Sequence, residues 1–209
     1  MTTKLYIREN NKWVKYPVYN SCASDERLDK QFDSGEVQTI TDSITPFDDF
    51  CMAKIVRSDG ETDKTSYFIG IDTVSKRGAG YYIHTLELAE PTRLLMGIMI
   101  DGRKVTQPLE EDKKKTLKQV LLSFLRTFRL QSTAENRPFE LLLDDELEEL
   151  FARISPEFYW EGQTQAWEVL CDVGNVVDCI PRLIINADET AYNVITFEKI
   201  NEITAEYEM

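Results

Sequence analysis

The sequence predicts an α+β protein in which strands and helices are segregated along the chain. An N-terminal antiparallel β domain, barrel- or sandwich-like, is expected over residues 1–108. A helical region with C-terminal strands follows over residues 109–209 and opens a second β-containing unit. Three observations predict this. Short runs of alternating apolar residues, separated by turn residues, succeed one another from Thr2 to about Ile100. After Pro108 the apolar spacing changes from two to three-and-four, which is the period of a helix. Beyond Pro181 apolar strand text returns.

In chain order, Lys4–Arg8 and Trp13–Tyr16 flank Glu9-Asn-Asn-Lys12, a hairpin whose asparagines tolerate positive φ. Gln38–Ile44 alternates, and Phe50–Val56 is a mostly apolar run suited to a buried strand. Asp59-Gly60 is a turn signal. Ser66–Val74 and Tyr81–Leu88 then pair across a Lys76-Arg-Gly-Ala-Gly80 loop, with Tyr82, His84, Leu86 and Leu88 on one face. Glu90-Pro91-Thr92 interrupts the pairing. Arg93–Ile100 resumes, with an extended reading favoured and a helical first turn allowed, and ends at an Asp101-Gly102 turn.

After Pro108, Glu110–Lys115 places acids before bases, as helix starts prefer. Thr116–Leu130 repeats apolar residues at 117, 121, 124, 125 and 128, the clearest helix of the chain. Phe139–Leu143 is a short apolar stretch. Asp144–Ile154 reads as an acidic helix with Leu147, Leu150 and Phe151 inward. Ser155–Ile185 then packs an aromatic extended run (Phe158, Tyr159, Trp160), a helix capped by Thr164, and a strand released by Pro181. The helix face expected inward carries Trp167, Leu170, Cys171, Gly174 and Val177. Asn193–Phe197 is one more strand.

Composition narrows the function. With 209 residues, 42% of them hydrophobic, the chain can bury a core. No apolar run approaches a membrane span, and Met1–Ile7 lacks a secretion signal, so assembly in a cytoplasm is expected. The cysteines at 22, 51, 171 and 179 match no zinc spacing and read as buried thiols. The formal charge of −13 is uneven: residues 1–137 carry 20 acids and 21 bases, residues 138–209 carry 17 acids and 3 bases. No basic patch with interleaved aromatics is visible in the text, which disfavours nucleic acid binding.

Catalytic, metal and cofactor residues are not expected. The single histidine, His84, lies inside an alternating strand and reads as a core residue. The glycines at 78 and 80 lack the strand-to-helix context of a phosphate loop. Asp144, Asp145, Glu146, Glu148 and Glu149 point around a helix and lack the spaced oxygens of a calcium loop. Asp48-Asp49 reads as a turn after Pro46. Trp160 and Trp167, flanking a helix start, read as core or interface anchors before sugar platforms.

Several phrases occur together in a telling order. His84-Thr-Leu-Glu-Leu-Ala-Glu90-Pro91-Thr92, followed by an apolar run and Asp101-Gly102, resembles the end of the first β domain in phage tail-hub proteins, the family that includes the N-terminal regions of siphophage tail-associated lysins. Ser155-Pro156-Glu-Phe158, the helix bearing Trp167, and Ile180-Pro181-Arg182-Leu183 are similar to a second signature of that family. Asn193–Asn201 is similar to the strand that comes next. The resemblance implies a structural virion protein of the tail tip or baseplate, not an enzyme. It implies a trimeric ring in contact with distal tail and tape-measure proteins, assembled in the bacterial host. It also implies a second β domain, expected to lie outside these residues, and an acidic wall from residues 138–209 that repels DNA in the tube. The other readings are a hub of a contractile injection or bacteriocin particle, and a carbohydrate or cell-surface binding module using Tyr81, Tyr82, Trp160 and Trp167.

Overall fold

The structure is a computed structural model and describes residues 2–21, 34–43, 47, 51–58, 60–78, 80–106, 114–131 and 138–200. The α+β class holds, and the chain divides into two compact units, Met1–Pro91 and Thr92–Met209.

The first unit is one antiparallel sheet. Its strands are β1 Thr2–Glu9, β2 Lys12–Tyr16, β3 Val18–Ser21, β4 Ser34–Thr41, β5 Cys51–Ser58, β6 Asp63–Gly78 and β7 Tyr81–Ala89. The hairpin β1–β2 closes at Glu9↔Lys12, with Asn10 at φ 47° and Asn11 at φ 65°. Two successive left-handed residues make the turn whose twist suits a hairpin, and asparagine adopts that conformation at low cost.

The sheet order is β2-β1-β5-β6-β7-β4-β3. Its two edges, β2 and β3, are consecutive in the chain and separated only by Pro17. The sheet therefore curls until one bent segment supplies both of its edges, which selects the barrel-like form over the sandwich. Alternation fills its interior: Leu5, Ile7, Ala53 and Leu86 are fully buried, with Val37, Ile55, Phe68 and Leu88 beside them. The expected loop at 76–80 is shorter than its text. β6 continues to Gly78, which pairs with Tyr81. Beyond that pair, Gly80 takes φ 87°, a conformation that favours glycine.

The second unit starts earlier than Pro108. Leu95, Ile100 and Val105 are fully buried in the same core as Leu117, Phe124, Leu147 and Phe151, so residues 92–106 belong with the helices. The segment favoured as extended is instead a 3₁₀ helix, Pro91–Gly97. Pro91 suits a first helical turn, having no amide hydrogen to leave unsatisfied. Thr92 and Leu95 are both fully buried at the three-residue spacing of such a helix, while Leu94 and Met96 are exposed. A short strand β8, Met99–Asp101, follows, and Gly102 opens a helix α1, Gly102–Thr106, where a turn was expected. A Cβ on Gly102 would stand 2.5 Å from Trp160 Cβ, so this close approach requires glycine.

Helix α2, Leu117–Gln131, has no acid in its first turn; the expected acidic lead over 110–113 lies outside the described residues. A reciprocal cap starts it instead. Gln119 N donates to Thr116 Oγ1 at 3.3 Å, and Thr116 N donates to Gln119 Oε1 at 3.0 Å. After β9, Glu140–Leu141, helix α3, Asp145–Arg153, is capped by Asp144, whose Oδ1 accepts from Leu147 N at 2.7 Å.

Thr164 is not a cap. It lies in β10, Gln163–Gln165, opposite Ile100 of β8. Helix α4, Ala166–Asn175, begins after it, with Ala166 N bonded to Ile98 O at 2.8 Å. Its buried residues are Ala166, Val169, Leu170, Val173 and Gly174. Trp167 and Cys171 are only partly buried, so the inward stripe is rotated from the expected one. The strands β11, Cys179–Ile185, and β12, Tyr192–Lys199, join β9 in the order β11-β12-β9. Leu183, Ile195 and Phe197 pack into the helical core, so these strands complete the second unit's own core. Among the described residues no helix is long and apolar enough to cross a membrane.

Candidate functional site

The residues singled out by the sequence form packing joints. β11 is an edge strand, and an edge with free amides is a template for unwanted pairing. Thr92 Oγ1, fully buried, accepts from Leu183 N at 3.0 Å across 91 residues of chain. Pro181, two residues earlier and therefore facing the same way, has no amide hydrogen to present. Together Thr92 and Pro181 leave no unmet donor at positions 181 and 183 of this edge, which is buried there. Gly174 lets α4 meet this strand, since a Cβ there would come within 2.4 Å of Cys179 O. Arg182 points the other way, and its Nε donates to Glu198 Oε2 at 3.1 Å. Glu90 and Pro91 are buried at the end of the first unit.

A second joint surrounds Trp160. Phe158 stacks on it, with ring centroids 4.5 Å apart and planes within 12°. Trp160 is 8% exposed, and its Nε1 donates to Asp172 Oδ2 at 2.8 Å. A ring buried and stacked in this way offers no face to a sugar. Trp167 packs partly buried against the same core, and Pro156 is half-buried. Lys115 is also buried, donating to Val105 O at 2.7 Å and to Ser123 Oγ at 2.9 Å. Burial pushes its pKa below the usual lysine value, and the neighbouring Arg126 charge adds to the shift.

Among the described residues, His84 has partners of the kind a catalytic histidine has. Its Nδ1 lies 2.8 Å from Asp72 Oδ2, and its Nε2 lies 3.0 Å from Thr41 Oγ1. The same Nε2 is also 3.0 Å from Ser43 O, to which the Thr41 hydroxyl donates at 2.7 Å. Asp72 on one side, and Thr41 with the Ser43 carbonyl on the other, occupy both ring nitrogens. The ring is fully buried, with Phe47 edge-on at 5.4 Å. This constellation ties the end of β4 to β6 and β7.

On α3 the acids diverge around the helix: Glu148 pairs with Lys118, and Glu146 pairs with Lys199 at 2.5 Å. Among the described residues no three His, Cys, Asp or Glu side chains are gathered to hold a metal.

The structure corrects one reading of the text. Leu5, Ile7 and Ile55 point into the barrel, so the alternate residues of β1, β2, β5 and β6 share its outer wall: Lys4, Tyr6, Arg8, Trp13, Lys15, Lys54 and Tyr67. Lys54 Nζ lies 4.6 Å from the Trp13 ring centroid, 5.7 Å from Tyr67 and 5.8 Å from Tyr6; Arg8 lies 5.7 Å from Trp13. This is a basic patch with interleaved aromatics, assembled across strands and invisible as a run. Reading every second residue of Lys4-Leu-Tyr-Ile-Arg8 and Trp13-Val-Lys15 is the signal that finds it. Around the rim, a groove of about 530 Å³ is lined by Val14–Pro17, Ile40–Asp42, Gly80 and Tyr81. The Tyr16 hydroxyl bonds Glu9 here. Burial, and then this carboxylate, push the Tyr16 pKa well above the usual phenol value.

No protein-family model matches the chain, and no curated protein matches it. Several solved structures are similar to it. The tail protein from Neisseria meningitidis MC58 superposes with a TM-score of 0.50 over 94% of this chain and 50% of that one, at 13% identity. The 43 kDa tail protein of prophage MuSo2 from Shewanella oneidensis aligns over 93% of this chain and 52% of that one, at 10% identity and a TM-score of 0.48. The E. coli c3393 protein, a component of the type VI secretion system, aligns over 93% of this chain and 44% of that one, at 12% identity and a TM-score of 0.42. The chain spans about half the length of the first two. At these identities the likeness to the Neisseria tail protein is one of fold.

Proposed function

We propose that this chain is a structural component of a phage or prophage tail, placed at the tail tip or baseplate hub. Copies of it form a trimeric ring at the distal end of the tail tube, in contact with distal tail and tape-measure proteins. The observation that carries this reading is the fold likeness to the Neisseria tail protein, which extends over 94% of the chain and so takes in both units. The order of the hub-like phrases supports it. The chemistry of the singled-out residues agrees: Thr92, Pro181, Phe158 and Trp160 hold the fold together, and His84 is locked between acceptors. In this reading the protein is not an enzyme, and the acids of residues 138–209 face the tube lumen.

The test is the mass of the assembled species. Native mass spectrometry of the full chain is expected to give a trimer of the 24.2 kDa subunit. A monomer at the highest soluble concentration, with no ring by electron microscopy, would remove the ring. Incubation with purified peptidoglycan is expected to release no fragments, and release would overturn the structural assignment.

A further inference from the structure

We infer that the free edge of β2, with the groove beside it, takes an extended segment of another protein that alternates acidic and apolar side chains and adds to the barrel sheet as a further strand. This inference is independent of the tail assignment.

β2 pairs with β1 on one side only. At Pro17 the chain leaves that line, and β3 covers β4 only over Val37–Thr39. Among the described residues no strand pairing bridges the rim between them, and the groove of about 530 Å³ lies there. Hydrogen bonding in the β1–β2 hairpin alternates from its closing pair, Glu9↔Lys12, so Ile7↔Val14 and Leu5↔Tyr16 are the bonded pairs. Trp13 and Lys15 then turn their main-chain N–H and C=O outward. Among the described residues no hydrogen bond beyond the β1 ladder reaches these groups. Unpaired main-chain groups beside a groove are what an added strand needs.

The two faces of that edge differ, and the difference selects the guest. Alternate residues of an added strand would lie on the outer-wall side, next to exposed Lys15, with Lys4 and Arg8 one strand further in. Acidic side chains suit that side. The other residues would drop toward Val14, Tyr16, Ile40 and Tyr81, where apolar side chains fit and the carboxylate of Asp42 disfavours further acids. A second copy of this chain is a poor guest. Edge-to-edge pairing of β2 with β2 centred on Lys15 would set that lysine against its own copy, and like charges on facing strands repel. A phosphate backbone would find no use for the apolar half of the groove.

The experiment is hydrogen exchange on the full chain with three probes: a blocked nonapeptide alternating Glu and Val, the same peptide with Lys for Glu, and an oligothymidine. The Glu/Val peptide is expected to slow exchange at the Trp13 and Lys15 amides while leaving Val14, already paired with β1, unchanged. Lys15→Pro removes one outward donor without touching the β1 ladder, and is expected to weaken binding by about tenfold. Lys15→Glu retains the main chain, so it keeps the test intact if the proline variant misfolds; it should weaken the Glu/Val peptide and not the Lys/Val one. No protection by the Glu/Val peptide would overturn the inference. So would equal protection by the Lys/Val peptide, or protection of these amides by oligothymidine, which would make the wall a nucleic acid surface.

Discussion

The two units solve the same packing problem with different information. In the barrel each inward residue is named by its neighbour two places along: Leu5 and Ile7, Ala53 and Ile55, Leu86 and Leu88. In the helical unit the decisive contacts join distant text, as when Thr92 caps Leu183 or Asn193 Nδ2 donates to Pro138 O. Local period specifies the first unit; single long-range fits specify the second. The same alternation that fills the barrel also sorts cations and rings onto its outer wall.

This contrast can be broken most strongly through the cores. Phe151→Ala, which empties a fully buried site, should cost the second unit about 3–5 kcal/mol. Leu86→Ala should cost the first about 2–5 kcal/mol. Because the two cores are separate clusters, hydrogen exchange should register each loss in the amides of the mutated unit. Loss spread evenly through both would erase the distinction.

Single fits come next. Gly174→Ala forces a Cβ against the Cys179 carbonyl and should cost about 1–3 kcal/mol in denaturant melts. Thr92→Val keeps the shape but strands the Leu183 amide, at about 1–3 kcal/mol. Asp144→Ala should cost about 1 kcal/mol, the usual worth of a helix cap.

The smallest effect is read with pH, in the barrel. A phenol whose pKa is raised by folding stays protonated where the unfolded chain's tyrosines ionise. Stability should therefore fall as pH rises above 10, and Tyr16→Phe should remove that part of the fall. An unchanged slope in Tyr16→Phe would mean the hydroxyl is not held as described.

Much of the fold was legible. The Asn10-Asn11 hairpin, the strand face of His84, Leu86 and Leu88, and the inward stripes of α2 and α3 follow from period and turn chemistry. What stayed hidden depended on partners elsewhere in the chain. The run after Pro91 is apolar enough for either structure, and only the joint burial of Thr92 and Leu95 reveals the 3₁₀ spacing. Thr164 has the chemistry of a cap, but β8 recruits it, and the Ile98 carbonyl takes the first amide of α4 instead. The cap that does exist, Thr116 with Gln119, was open to reading as Thr-x-x-Gln. Of the singled-out residues, the order of the phrases was legible; that Thr92 and Pro181 serve one strand edge was not. The basic aromatic wall was missed because its members are adjacent across strands and never along one.

The proposed place at the tail tip is tested most directly by antibody labelling of tailed particles released by the cells that express this chain, viewed by electron microscopy. The account predicts label at the distal tip of the tail and nowhere else on the particle. Purified particles that lack the chain, or that carry it on the capsid, would contradict it.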